Sequence, residues 1–370
     1  MPAGIYIHIP FCKRKCPYCD FYSIAADDIT RCRYADSLVT RISDSADKSI
    51  VADSIYFGGG TPSLMTPEDI SRIISAVKSA FTILPDCEIT MECNPSSTTF
   101  EKLCGYRESG VNRLSFGVQS SNNSELTKLG RLHDFSLARQ AVDNAHKAGF
   151  INISCDLMIG TPLQTADSLL RSIHDITDMG ITHISCYMLK IEEGTAYDCD
   201  SVRSSVADDD TVSDMYLALV NELESLGYPQ YEISNFSREG CESRHNTKYW
   251  IGEDYLGFGP SAHSYYKGKR TYCGQTVSEF IAAPLCPDEI EDSAPNPLEE
   301  YILLGLRLNR GISLAKVRSL GGNADSFINT AQKFKAAGYL TADSDRVSLT
   351  TEGFLLSNSI ISSLIDAAFS

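Results

Sequence analysis

Residues 4–21 read GIYIHIPFCKRKCPYCDF, a short apolar strand candidate (4–9) that runs straight into Cys12, Cys16 and Cys19. A closed four-thiolate site needs one more ligand, and no obvious fourth cysteine follows in the loop. Three thiolates on a cubane iron–sulfur cluster leave one iron without a protein ligand, free to bind a small chelating molecule. The competing reading is a structural zinc with His8 as fourth ligand. Against it, His8 lies on the strand itself, and zinc ligand pairs usually come from two separated knuckles.

The opening strand begins a repeat of architecture. Further strand candidates are SIYF (54–57), EITME (88–92), RLSFGV (113–118), NISCDLMI (152–159) and HISCYML (183–189), with helical patterns between them. In TPEDISRIISAVKSAF (66–81), Ile70, Ile73, Ile74, Val77 and Phe81 share one face, with Thr66 as N-cap and Pro67 at the first helical position. Regular strand–helix alternation with nearly continuous apolar strands implies a parallel sheet. Six units predict an α/β fold: an incomplete (βα)6 barrel of TIM type, open on one side.

Past residue 230 the pattern changes. QYEISNF (230–236) reads as one more strand, and 237–275 reads as loop-rich. AAPLCPDEIEDSAPNP (282–297) carries four prolines and a run of acids and reads as a linker, so the barrel domain is predicted over 1–281. Residues 298–370 predict a small, mostly helical, winged-helix-like C-terminal domain whose wing is YLTADSDRVSLT.

A formal net charge of −16 disfavours nucleic acid as a partner, because no basic stripe offsets phosphate repulsion. No segment approaches the roughly 20 apolar residues of a transmembrane helix, and the N-terminus lacks the basic region and cleavage site of a signal peptide. A cytoplasmic location is the simplest expectation. Thirteen cysteines are many, yet most beyond the first three lie in apolar stretches and read as small buried hydrophobes.

The unusual polar residues gather at the C-terminal ends of the strands. The cysteine loop follows the first strand and GGGTP (58–62) the second, while Glu92 closes the third. Gln119 follows the fourth strand and Asp156 lies in the fifth. In parallel α/β barrels this rim carries the active site. Consecutive glycines let a backbone approach a ligand and expose N–H groups, although alone they also suit a tight turn. Glu92, Gln119, Arg131 and Asp156 offer both charges and an amide to a ligand with amino, carboxylate and hydroxyl groups.

CKRKCPYC fits the CxxxCxxC signature, and the chain resembles the radical S-adenosylmethionine (SAM) superfamily. YIHIPFC, GGGTP, ECNP, SFGVQS, DLMIGTP and LLGLRLNRGI resemble the anaerobic coproporphyrinogen III dehydrogenase family and its HemW-type relatives, over nearly the whole chain. The resemblance implies a [4Fe-4S] cluster on Cys12, Cys16 and Cys19. Its open iron would chelate SAM, and the reduced cluster could cleave the sulfonium to a 5′-deoxyadenosyl radical. It implies SAM contacts from Tyr6, Tyr18, Gly59, Gly60, Thr61, Glu92, Gln119, Arg131, Asp156 and Met188.

Two branches imply different functions. The dehydrogenase pattern has a further cysteine two residues after the third, where this chain has Phe21. RHNTKYW matches the HNxxYW motif of HemW-type heme chaperones through His245, Asn246, Tyr249 and Trp250. An imidazole flanked by aromatics suits heme contact, and equally a buried hydrogen-bonded corner of the barrel. The chaperone branch implies heme or porphyrin as ligand and heme-accepting respiratory proteins as partners, and the sequence admits a homodimer. The alternative is an oxygen-independent oxidoreductase that converts coproporphyrinogen III propionates to vinyl groups.

Overall fold

A computed structural model describes all of residues 1–370. Strands β1 (Ala3–Ile9), β2 (Val51–Gly59), β3 (Thr82–Cys93), β4 (Arg113–Gln119), β5 (Asn152–Ile159) and β6 (His183–Met188) pair in sequence order, all parallel. Helices connect them and cover their outer face. Helix Pro67–Ala80 starts at Thr66, whose hydroxyl accepts from the Asp69 amide, with Pro67 at the first turn. Helix Ala166–Thr177 opens with a reciprocal capping box between Thr165 and Ser168. This is the expected six-unit partial barrel.

The region after residue 230 is more ordered than the sequence suggested. QYEISNF folds back on itself as β7 (Gln230–Glu232) and β8 (Asn235–Ser237), and β8 closes one edge against β6 in antiparallel fashion. The stretch read as loop-rich contains helix Arg244–Ile251 and strands β9 (Tyr255–Phe258), β10 (His263–Tyr266) and β11 (Lys269–Tyr272). Strand β9 runs parallel to β1 and supplies a seventh parallel strand on the side opposite β6. These strands are only four residues long and interrupted by Gly257, Gly259 and Gly268, so no run of alternation stands out in the sequence.

Within 282–297, residues Glu289–Asp292 form β12 at the sheet's outer edge, antiparallel to β11. Its acidic, exposed side chains suit an edge strand that resists further pairing. The C-terminal region is helical around a small sheet, with β13 (Ile312–Ser313) and β14 (Leu340–Ala342) flanking β15 (Arg346–Leu349). Backbone bonds from Ile233 to Arg307 and from Asn309 to Tyr231 tie it to the barrel, and one apolar core runs through both. No helix is long and apolar enough to cross a membrane.

Candidate active site at the barrel mouth

The six parallel strands alternate strictly. Ile5, Ile7 and Ile9, Ile55 and Phe57, Leu114, Phe116 and Val118, and Ile153, Cys155, Leu157 and Ile159 join the apolar core under the helices. The intervening residues are polar or aromatic and face the barrel interior: Tyr6 and His8; Ser54 and Tyr56; Glu88, Thr90 and Glu92; Arg113 and Ser115; Ser154 and Asp156; His183 and Ser185. Register sets Tyr6 beside Tyr56, Tyr56 beside Thr90, and Asp156 beside Ser185. The barrel is therefore lined with polar groups where a sealed barrel would carry stacked aliphatics.

The cysteine loop leaves β1 at the mouth. It is pinched at its base, where the Cys12 amide donates to Ile24 O and the Ile24 amide to Pro10 O, at 3.0 and 2.9 Å. All three thiols are half-buried. Cys12 Sγ lies 3.4 Å from Thr61 Oγ1, and Arg131 Nη1 donates toward Cys16 Sγ at 3.6 Å. Burial pushes the Cys19 thiol up, opposed by the backbone N–H at Phe21, with smaller upward contributions from Cys16 and Cys12. No three His, Cys, Asp or Glu side chains converge as a single metal ion would require. His8 is buried, with Nε2 donating to the Tyr22 carbonyl at 3.2 Å and Nδ1 accepting from the Tyr6 hydroxyl at 3.1 Å. Burial lowers its pKa to about 4, and both ring nitrogens are engaged within the protein.

The glycine run works differently from expectation. Its amides bond within the protein: Gly59 N–H donates to Glu92 Oε2 at 3.2 Å, and Gly60 N–H to Ile9 O at 2.9 Å. Gly59 has φ +107°, and a Cβ there would sit 2.4 Å from the His8 ring. A Cβ on Gly60 would meet Phe11 O at 2.7 Å. The glycines let β2 pass against the cysteine loop, and through Gly59 they orient Glu92.

Glu92 and Asp156 face each other's charge across the interior. Glu92 accepts from the Tyr56 hydroxyl at 2.9 Å, and Asp156 from the Ser115 hydroxyl at 3.0 Å. Burial, then the Asp156 charge, pushes Glu92 up to about 7. Burial also pushes Asp156 up to about 6, against the Ser115 and Ser185 hydroxyls that favour its charged form. Gln119 and Arg131 crowd the open side of Gly117, within 3.0 and 3.1 Å of where its Cβ would be. Arg131 Nη2 donates to Gly117 O, and its buried Nε has no partner. Gln119 sits at φ +74°, an uncommon and costly conformation for a side-chain-bearing residue, concentrated at functional sites.

A family model of the radical SAM superfamily matches residues 6–176, and one of the HemN C-terminal domain matches residues 292–356. The heme chaperone HemW of Mycobacterium tuberculosis is 34% identical over 376 aligned positions, covering 98% of this chain and 95% of that protein. HemW of Bacillus subtilis is also 34% identical, covering 97% and 98% of the two chains. The chain belongs to the HemW family of radical SAM proteins. The crystal structure of Escherichia coli coproporphyrinogen III oxidase HemN superposes with a TM-score of 0.83 over 98% of this chain and 90% of that one; at 20% identity it shows the shared fold.

The family motif HNxxYW lies far from the cysteines. His245 sits on helix Arg244–Ile251 under the barrel floor and is fully buried. Its Nδ1 pairs with Ser54 Oγ and its Nε2 with the Tyr249 hydroxyl, both at 2.9 Å. Burial, with the charges of Lys248 and Arg113, lowers its pKa to about 3. Both ring nitrogens are engaged, one as donor and one as acceptor, so the expectation of His245 as a heme ligand does not fit this arrangement. Tyr249 is spent on His245, and Asn246 and Trp250 are half-buried on the same helix. Tyr18 stands beside Arg131 and Cys16, and Met188 ends β6 at the rim, exposed.

Sequence reasoning passed over Tyr56, Ser115 and Arg113. The last is only 2% exposed, with its Nε unpartnered. Their signal was the two-residue polar alternation within strands that read as nearly continuous apolar runs.

Proposed function

We propose that this chain is a heme chaperone. It holds a [4Fe-4S] cluster on Cys12, Cys16 and Cys19, seats SAM against Glu92, Asp156, Gln119 and Arg131, and passes heme to respiratory acceptor proteins in the cytoplasm. The observation that carries the reading is full-length similarity to HemW proteins, joined to a barrel mouth whose donor set suits this cofactor pair. Two buried carboxylates with raised pKa values complement the ammonium and sulfonium cations of SAM. The Arg131 guanidinium, with one N–H unpartnered, complements the carboxylate of SAM. When bound, the cluster supplies an electron at low potential. The chain's own residues hold its thiolates, orient the ligand and line the interior with fixed dipoles.

Heme contact is assigned to the rim. Phe21 (69% exposed), Leu163 (57%) and Met188 (40%) project from the cysteine loop, the loop after β5 and the end of β6. Leu163 is held at φ +71°. An apolar rim covers a porphyrin face, and Lys15 in the same loop answers its propionates.

The dehydrogenase reading requires conversion of coproporphyrinogen III by anaerobically reconstituted protein with SAM and reductant. The expected result is no protoporphyrinogen and a saturable Soret shift on heme titration. Protoporphyrinogen formation would defeat the chaperone reading.

A further inference from the structure

The HNxxYW helix is anchored to three strands from below. The amides of Arg244 and His245 each donate to the buried Glu88 carboxylate at 3.2 Å. Lys248 Nζ reaches Asp53 at 3.0 Å, Glu253 at 2.7 Å and the Pro2 carbonyl at 2.9 Å. Gly4 leaves room for the imidazole, because a Cβ there would lie 2.9 Å from His245 Cε1.

The ring so fixed has two aromatic neighbours above it. It stacks on Tyr56 at 5.2 Å between centroids with planes 26° apart, and on Tyr6 at 6.3 Å and 28°. Each leads to a wall of the mouth. The Tyr56 hydroxyl donates to Glu92 Oε1, and Glu92 in turn receives the Gly59 amide. The Tyr6 hydroxyl donates to His8, whose ring packs against Gly59.

We infer that His245 is a positioning residue for the SAM seat, acting through Tyr56 on the Glu92 carboxylate. This rests on the reading of the mouth as a SAM site and extends it to a residue on the far side of the barrel floor. A charged imidazole would repel Arg113 and Lys248, so the neutral, doubly bonded ring serves as a fixed platform. With Tyr56 unsupported, the carboxylate loses one of its two donors and its aim.

The test is equilibrium SAM binding to anaerobically reconstituted wild type, His245→Ala, Tyr56→Phe and the double variant. Iron content and heme titration are measured on each. Tyr56→Phe keeps the ring and removes only the hydroxyl, so it addresses the relay even where His245→Ala folds poorly. Each single substitution is expected to weaken SAM binding about tenfold. The double variant is expected within about twofold of either single, because residues acting in series do not add. Iron content and heme affinity stay at wild-type levels. Multiplied losses in the double variant, or loss of heme binding with SAM affinity intact, would overturn the inference and leave the SAM site standing. Failure of the wild type itself to bind SAM would overturn the underlying reading as well.

Discussion

At the base of the barrel, the His245 ring, the Glu88 carboxylate and the Lys248 ammonium all have partners. At the mouth, the thiols are half-exposed, two carboxylates stand in conflict, and Arg131 carries an N–H with no partner. A cavity of about 960 Å³ lies at the base, lined by Asp53, Glu88, Asn112, Asn152, Tyr231 and Lys248. The base is not free of open donors, since Arg113 Nε is unpartnered there; what sets the mouth apart is the conjunction of three half-exposed thiols, two opposed carboxylates and a guanidinium at one rim.

Substitutions at the two ends should separate cleanly. Cys16→Ala at the mouth has the largest expected effect: loss of the brown absorbance near 400 nm and of about four irons per chain, with thermal stability of the cluster-free form close to wild type. Lys248→Met at the base should do the reverse. It leaves the half-buried Asp53 and Glu253 carboxylates without their cation and should cost about 1–3 kcal/mol in denaturant unfolding, while iron binding persists in the folded fraction. Equal effects of both substitutions on both measurements would erase the distinction.

Glu92→Gln sharpens it further. A carboxyl whose folded pKa is raised to about 7 stabilises the fold relatively at acid pH, and that contribution is lost as pH rises from its unfolded value through 7. The cluster-free Gln variant should therefore be more stable than wild type at pH 8, by about 2 kcal/mol, and bind SAM at least tenfold more weakly. Wild-type SAM affinity should rise between pH 6 and pH 8 as Glu92 and Asp156 ionise, and the variant should show a smaller rise. Calorimetric titration at the two pH values checks both. The smallest effect belongs to the rim: Phe21→Ser should weaken heme binding a few-fold and change stability by less than about 0.5 kcal/mol.

How much of this was legible follows the same division. The cysteine spacing, the six strand–helix units and the rim position of Glu92, Gln119 and Asp156 are local patterns that a linear reading recovers. Strand β9 was not legible, because four residues broken by glycines carry no period and owe their structure to β1 alongside them. The glycine run was read as a ligand cradle, because its tight passage against Phe11 and His8 is a long-range contact. His245 was the hardest. HNTKYW advertises an imidazole between aromatics, and only the register of helix Arg244–Ile251 under Gly4, Ser54 and Tyr56 shows that both its nitrogens are taken.

The central claim is that the unsatisfied groups of the mouth are completed by a cluster with SAM beside it. The direct measurement is the electron paramagnetic resonance spectrum of the reduced, reconstituted protein titrated with SAM. A SAM-dependent change in the cluster signal, saturating at one SAM per chain and abolished in Glu92→Gln at equal SAM concentration, is the expected result. A signal indifferent to SAM in the wild type would contradict it.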